Sequence, residues 1–188
     1  ECYSLTSEKA TLVTHMSVKR SNAASIVIND NILWVTGGSS EGPLLSTEYV
    51  TVTGTMLGPD LPMAVIGHAM VSINSTCSMV IGGDSDFVLS ASTFFYDHNE
   101  EEWINGPSLI QARTSHAAGI VTDEVTGEHF VAVTGGHSDS GGYHSDYHYL
   151  DSTEILQDGN WVQGSINDAT ICYLFGKLMV SRHFYRIS

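Results

Sequence analysis

Leu33-Trp34-Val35-Thr36-Gly37-Gly38 is a short apolar run closed by a glycine pair, and it has two counterparts, Met79-Val80-Ile81-Gly82-Gly83 and Val131-Ala132-Val133-Thr134-Gly135-Gly136. Other features keep step with it. Upstream stand Ser21-Asn22-Ala23-Ala24, Gly67-His68-Ala69-Met70 and Ser115-His116-Ala117-Ala118, with 46 residues from Asn22 to His68 and 48 from His68 to His116. Downstream stand Ser46-Thr47, Ser92-Thr93 and Ser152-Thr153. Tyr3, Tyr49 and Tyr96 recur at intervals of 46 and 47; Trp103 follows Tyr96 by seven residues, Met56 follows Tyr49 by seven, and Trp161 takes that place in the third unit. Self-similarity at a fixed period of this size marks repeated supersecondary units, each needing its neighbours to cover its apolar face.

Within a unit, apolar runs rich in Val, Ile, Thr and aromatic residues alternate with Asn, Asp and Gly, which reads as strands joined by tight turns. The first unit predicts strands A at 23–28, B at 32–36, C at 47–52 and D at 55–57, with Asn29-Asp30-Asn31 as the A to B turn. No segment sustains a 3.6-residue period, so no helix is expected. Glycine closing strand B lets the backbone take positive φ and lets a neighbour approach closely. Four antiparallel strands repeated every ~45 residues are the signature of propeller blades.

Both ends of the chain fit the pattern in part. Tyr3 precedes Asn22 by 19 residues, as Tyr49 precedes His68, so 1–18 reads as a C–D half. Residues 168–180 repeat an A–B half, with Phe175-Gly176-Lys177 as the turn and Arg182-His183 where the glycine pair belongs. The chain thus divides into 1–18 (half blade), 19–64, 65–112 and 113–164 (blades), and 165–188 (half blade), about four blade equivalents in one propeller region. The two halves are complementary and suit closure of a small ring; the lost glycine pair and the start at Glu1 rather than Met favour a piece of a larger one.

The ordered set Gly82-Gly83, Tyr96, Trp103, Gly106-Pro107, Leu109, Arg113 and His116 resembles the kelch repeat, and the likeness runs through nearly the whole chain. Departures are Met56 for Trp, Glu154 for Tyr, and a third linker without Gly-Pro-x-Leu. The resemblance implies an all-β propeller in which Gly37, Gly38, Gly82, Gly83, Gly135, Gly136, Tyr49, Tyr96, Trp103 and Trp161 are structural. It also implies that the B to C loops and the D to A linkers share one face, with Asn74 on the opposite one. Kelch domains mostly serve as protein-binding platforms, among them actin-bundling proteins and ubiquitin-ligase adaptors, and the propeller of galactose oxidase is similar. A shared fold confers none of these activities by itself.

Composition narrows the partners. In 188 residues, 42% hydrophobic, seven Lys and Arg face 21 Asp and Glu for a net charge of −14, and no Lys or Arg lies between Ser21 and Ala112. That field repels phosphate backbones, so no nucleic-acid partner is expected. No apolar run approaches the roughly 20 residues of a membrane span. Cys2, Cys77 and Cys172 are dispersed without C-x-x-C spacing, against a zinc site or a disulfide scaffold; their odd number leaves a free thiol or an intermolecular bond. Asn74-Ser75-Thr76 is a glycosylation sequon if the chain is secreted; the compartment, cytoplasmic or extracellular, stays open.

The candidate binding residues lie in the B to C loops: Ser39, Ser40 and Glu41; Asp84, Asp86 and Phe87; and His137, Asp139, Tyr143, His144, Tyr147 and His148. The third loop is about seven residues longer than the others, and insertions in repeat proteins map to one face, often the binding face. Its His, Tyr and Asp suit a recognition surface or, less well, a divalent metal; the three His spacings match no ligand motif, so no metal and no cofactor is expected. His68 and His116 recur with the repeat, which favours a structural hydrogen-bonding role over catalysis. Arg113 and Lys19 take equivalent places and are nearly the only cations near this face, so a basic protein partner fits better than an acidic one. No nucleophile with a base and no catalytic carboxylate pair stands out. The leading expectation is a non-catalytic kelch-type module that binds a protein, possession of a fused domain outside the chain being compatible with it. The alternatives are a carbohydrate-active or metal-dependent propeller related to galactose oxidase, and a truncated fragment without independent function.

Overall fold

The computed structural model describes residues 2–4, 9–11, 14–29, 31–123, 125–139 and 147–164, and no helix occurs among them. Alternating apolar residues between turns form strands that pair with their sequence neighbours. A hairpin of β1 (Cys2–Ser4) and β2 (Lys9–Thr11) comes first. β3 (Ala24–Ile28), β4 (Ile32–Thr36), β5 (Thr47–Thr51) and β6 (Gly54–Leu57) make the first four-stranded antiparallel sheet, each within one residue of its expected start. β7 (Ala69–Asn74) and β8 (Cys77–Ile81) begin the second sheet, and the short hairpin β9 (Asp84–Ser85)/β10 (Val88–Leu89) follows them. β11 (Thr93–Asp97) and β12 (Glu102–Asn105) complete it. The third repeats the plan with β13 (Ala117–Thr122), β14 (His129–Thr134), an inserted hairpin β15 (His137–Asp139)/β16 (Tyr147–Tyr149), β17 (Thr153–Gln157) and β18 (Asn160–Gln163). Residues 165–188, with the expected A–B half, Cys172 and Arg182-His183, lie outside the described residues.

The sheets stack face to face, and β7 lies beside both β3 and β13. The middle sheet is therefore covered on both sides, and strand periodicity divides its side chains. Met70, Val80 and Tyr96 pack with Ala24, Trp34, Leu61 and Val65 in one core; Val71, Met79 and Ile81 pack with Leu109, Val131, Val133 and Trp161 in the other. Trp34 is fully buried, its ring 5.0 Å from Tyr96 and 5.8 Å from Trp103, and its Nε1 donates to Thr47 Oγ1 at 3.0 Å. An indole wholly removed from water needs such a partner for its N–H.

Backbone pairing fixes the repeat register and corrects it in two places. Gly58, Gly106 and Gly164 each donate to Thr47, Thr93 and Thr153 at 2.9 Å, so these residues correspond. Trp103 and Trp161 then match Thr55, which pairs with Val50 as Trp103 pairs with Tyr96; Met56 pairs with Tyr49 and is 58% exposed. Seven-residue counting failed because the C to D turn holds residues 98–101 in the second sheet and only 52–53 in the first. At the start of the inner strands, the matched residues are Asn22, Gly67 and Ser115, with φ of 51°, 61° and 55°, so Ala23 rather than Asn22 stands where His68 and His116 stand.

The second shift moves the cation. Arg20, not Lys19, is the counterpart of Arg113, and Glu154 corresponds to Glu48 rather than replacing a tyrosine. Arg20 Nη1 donates to the Gly37 and Ser46 carbonyls, and Nη2 to Ser46 Oγ and Glu48 Oε1; Arg113 makes the same four bonds to Gly135, Ser152 and Glu154. The carboxylates also accept from the preceding linker, Glu48 from the Ser17 and Val18 N–H groups and Glu154 from Ile110 and Gln111. Both pairs are at most 3% exposed. In the middle sheet Val65 and Phe94 hold the same places. Two apolar residues thus stand at the positions that the ionic pair takes in the other sheets, and a lone buried charge is costly. Arg113→Met and Glu154→Leu are each expected to lower unfolding free energy by about 3–5 kcal/mol, and the double variant by clearly less than either. Urea denaturation of the variants checks this.

Candidate functional site

One end of the three sheets carries both the loops that follow the glycine pairs and the linkers between sheets. Successive antiparallel strands make this arithmetic unavoidable: with strand A starting at this end, B returns to it and D finishes at it. Backbone bridges tie the two sets together, Ser21 to Ser39, Ile66 to Asp84 and Thr114 to His137. Leu61 and Val65 donate to Leu45 and Leu44, and Leu109 and Arg113 to Ala91 and Ser90. The result is a hydrogen-bonded belt. The β7–β8 turn lies at the other end, where Asn74 is exposed and its Oδ1 accepts from the Thr76 N–H and Oγ1, both at 2.9 Å.

The glycine pair is what allows the sheets to meet here. A Cβ on Gly37 would lie 2.6 Å from the Val65 oxygen and 2.8 Å from the His68 ring; on Gly82 it would lie 2.8 Å from the Arg113 oxygen and 2.9 Å from the His116 ring. Each histidine is therefore packed on the preceding sheet's first glycine. His68 Nε2 reaches Thr36 Oγ1 at 2.8 Å, which fits the expected hydrogen-bonding role. His116 departs from it: Ile81 occupies the place of Thr36, and the His116 ring meets the Ile81 backbone without forming a well-aligned hydrogen bond through either nitrogen.

Among the sequence candidates, Ser40, Glu41, Asp86, Phe87 and His148 are exposed, and Ser39, Asp84 and His137 are half-buried. Asp139 and Tyr147 pair with each other in backbone register across β15 and β16, and the His137 ring lies 5.0 Å from that of Tyr149. Tyr143 and His144 lie outside the described residues. Arg113 is fully buried in its pair with Glu154, so its charge does not reach a partner. The β9–β10 hairpin turns on Asp86 and Phe87, with φ of 49° and 68°. Two consecutive positive φ values make the tight turn that usually calls for Asn-Gly. Here it carries a phenylalanine 75% exposed, followed by Val88 at 69%, and Asp84 Oδ1 accepts the Phe87 N–H at 3.2 Å. Val88 and Ile110, both exposed at this end, stand outside the candidate loop residues read from the sequence, whereas the exposed Tyr149 belongs to the long third loop. For Ile110 the signal was its place after Leu109, where one of two adjacent apolar residues must face out.

Among the described residues, Ser78 Oγ meets His98 Nε2 at 2.8 Å, and Ser78 is fully buried. Among the described residues, no group of three or more His, Cys, Asp or Glu is placed to hold a metal ion. Burial raises the Cys77 thiol, assisted by Asp97, which keeps it protonated rather than nucleophilic.

Burial pulls His68 down to about 4 and His116 to about 3, the latter helped by Arg113 and His68. Burial alone would raise Glu48, but bonds from the Ser17 N–H, Arg20 and the Val18 N–H outweigh it and hold the carboxyl below its ordinary value. The signs agree. The unfolded chain takes up protons on its histidines near pH 6.5 while the folded sites refuse them, so stability falls as pH drops below 6.5 toward 4 and 3. Glu48 adds a loss below about its ordinary 4.5. Each histidine contributes at most about 1.4 kcal/mol per pH unit to that slope. Urea midpoints measured from pH 7.5 to 5 are expected to fall, and His116→Gln to flatten the fall.

Compared with known proteins, no family model matches the chain and no curated protein matches its sequence.

Proposed function

We propose that the chain is an arc of a kelch-type β-propeller that serves as a non-catalytic protein-recognition module, binding through the belt of B to C loops and D to A linkers. The observation that carries this reading is the β9–β10 hairpin. A bulky residue in the left-handed region costs on the order of 1–3 kcal/mol, and folds keep such strain mainly where a site uses it. Phe87 has φ +68° and is 75% exposed, so most of its side-chain surface is open to a partner. Aromatic residues are enriched at protein interfaces and supply many of their anchors. The inserted β15–β16 hairpin, on the same belt, supplies a second projecting surface with Tyr149 82% exposed.

The test separates a stability role from a binding role. Phe87→Gly relieves the left-handed strain, so the thermal midpoint is expected to hold or rise by the equivalent of up to about 1 kcal/mol. Capture of the partner by the immobilised chain, identified by crosslinking and mass spectrometry, is expected to drop at least about tenfold, a loss of some 1.4 kcal/mol. Val52→Ser, a substitution of a residue 72% exposed at the opposite end, leaves capture intact. Unchanged capture by Phe87→Gly contradicts the reading.

A further inference from the structure

The chemistry of this end also points to the kind of partner, an inference that rests on the recognition reading above. We infer that the partner engages the belt with a segment in which Lys or Arg alternates with apolar side chains. Phe87 and Val88 stand 75% and 69% exposed on the hairpin, and Ile110 stands 62% exposed on the linker that hydrogen-bonds to the segment directly after it, through Leu109 to Ala91 and Arg113 to Ser90. Apolar side chains displayed in this way gain by burial against apolar side chains of a partner, at roughly 25 cal/mol for each Å² removed from water.

Charge selects what accompanies them. Exposed or half-exposed carboxylates of Glu41, Asp60, Asp84, Asp86 and Asp151 stand on the same loops and linkers. The side chains of Lys19, Arg20 and Arg113 are the described cations, and the two arginines are neutralised inside buried pairs with Glu48 and Glu154. Only Lys19 is exposed at this end among them. The ion pairs that stabilise the sheets thereby leave Lys19 as the exposed cation among the described residues of the belt. An acidic segment, a phosphate backbone or an anionic membrane approaching Phe87 meets repulsion within a Debye length of about 10 Å, whereas a basic segment meets attraction.

Fluorescence anisotropy with the full chain tests this. The probe is a labelled peptide alternating lysine and leucine, run beside versions with glutamine or glutamate in place of lysine. The lysine peptide is expected to bind and to weaken at least about tenfold between low and moderately high salt, as screened ion pairs do. Binding also weakens about tenfold in the Phe87→Ser/Val88→Ser double variant and severalfold in Asp86→Asn, and is unchanged in Val52→Ser. No binding of the lysine peptide overturns the inference. If the glutamine peptide binds as tightly and still depends on Phe87, the basic partner is overturned and the recognition face stands. If the lysine peptide binds equally to the Phe87→Ser/Val88→Ser variant, the attraction is to the chain's overall charge, and both the inference and the use of this hairpin fall.

Discussion

The contact on which the rest of this structure depends is the backbone meeting of successive sheets at the loop end. Gly67 donates to the Asn22 carbonyl at 3.0 Å, and Ser115 donates to the Gly67 carbonyl at 2.7 Å. Asn22, Gly67 and Ser115 all take positive φ to make this relay. A second line of bonds runs beside it, from Gly38 to the Val65 oxygen at 2.9 Å and from Gly83 to the Arg113 oxygen at 2.8 Å. Neither line forms unless the sheets approach closely, and the space for that approach exists because Gly37 and Gly82 lack a Cβ. Asparagine and glycine tolerate the left-handed region readily; serine does so less well. The buried cores between sheets then follow from strand alternation, once the sheets are held at this distance.

The ionic clamps have a different job. Each binds a glycine-pair carbonyl, a strand C carboxylate and the N–H groups of the preceding linker into one buried network, so they fix the linker's path as much as the strands. That the middle sheet manages with Val65 and Phe94 shows that the clamp is not required to form a sheet. Its consequence is felt on the outside. Arg20 and Arg113 are withdrawn into the interior while Lys19 stays exposed, and the described surface left at this end is mainly acidic and apolar. Stability and surface character are coupled here through buried residues.

Much of the fold was legible in the sequence because the signals are local. A period-2 run ending in Gly-Gly and followed by a turn has few other readings, and the first sheet's strands emerge within a residue of expectation. What misled was interval counting between lookalike residues. Tyr49 and Tyr96 share a side chain but not a register, since the turns beyond them differ in length, and only backbone pairing reveals that Met56 stands opposite Tyr49. The site was partly legible. Loop positions and the odd length of the third loop could be read directly. The withdrawal of Arg113 could not, because its partner Glu154 lies 41 residues away, and proximity across that distance is a product of folding. That His116 lacks a hydroxyl partner was in principle readable from Ile81 standing where Thr36 stands, once the histidines are known to pack on the preceding sheet.

Hydrogen exchange at the Gly67 and Ser115 amides, followed by NMR or by mass spectrometry with residue resolution, reports whether the relay joins the sheets. Both residues lie outside the strands, Ser115 at the surface, where an unbonded amide exchanges freely. If the relay joins the sheets, both amides exchange as slowly as those of β8 and β14 and lose protection together with them as denaturant is added. Exchange of either amide at the rate of the exposed 75–76 turn, while β8 and β14 remain protected, would contradict the account.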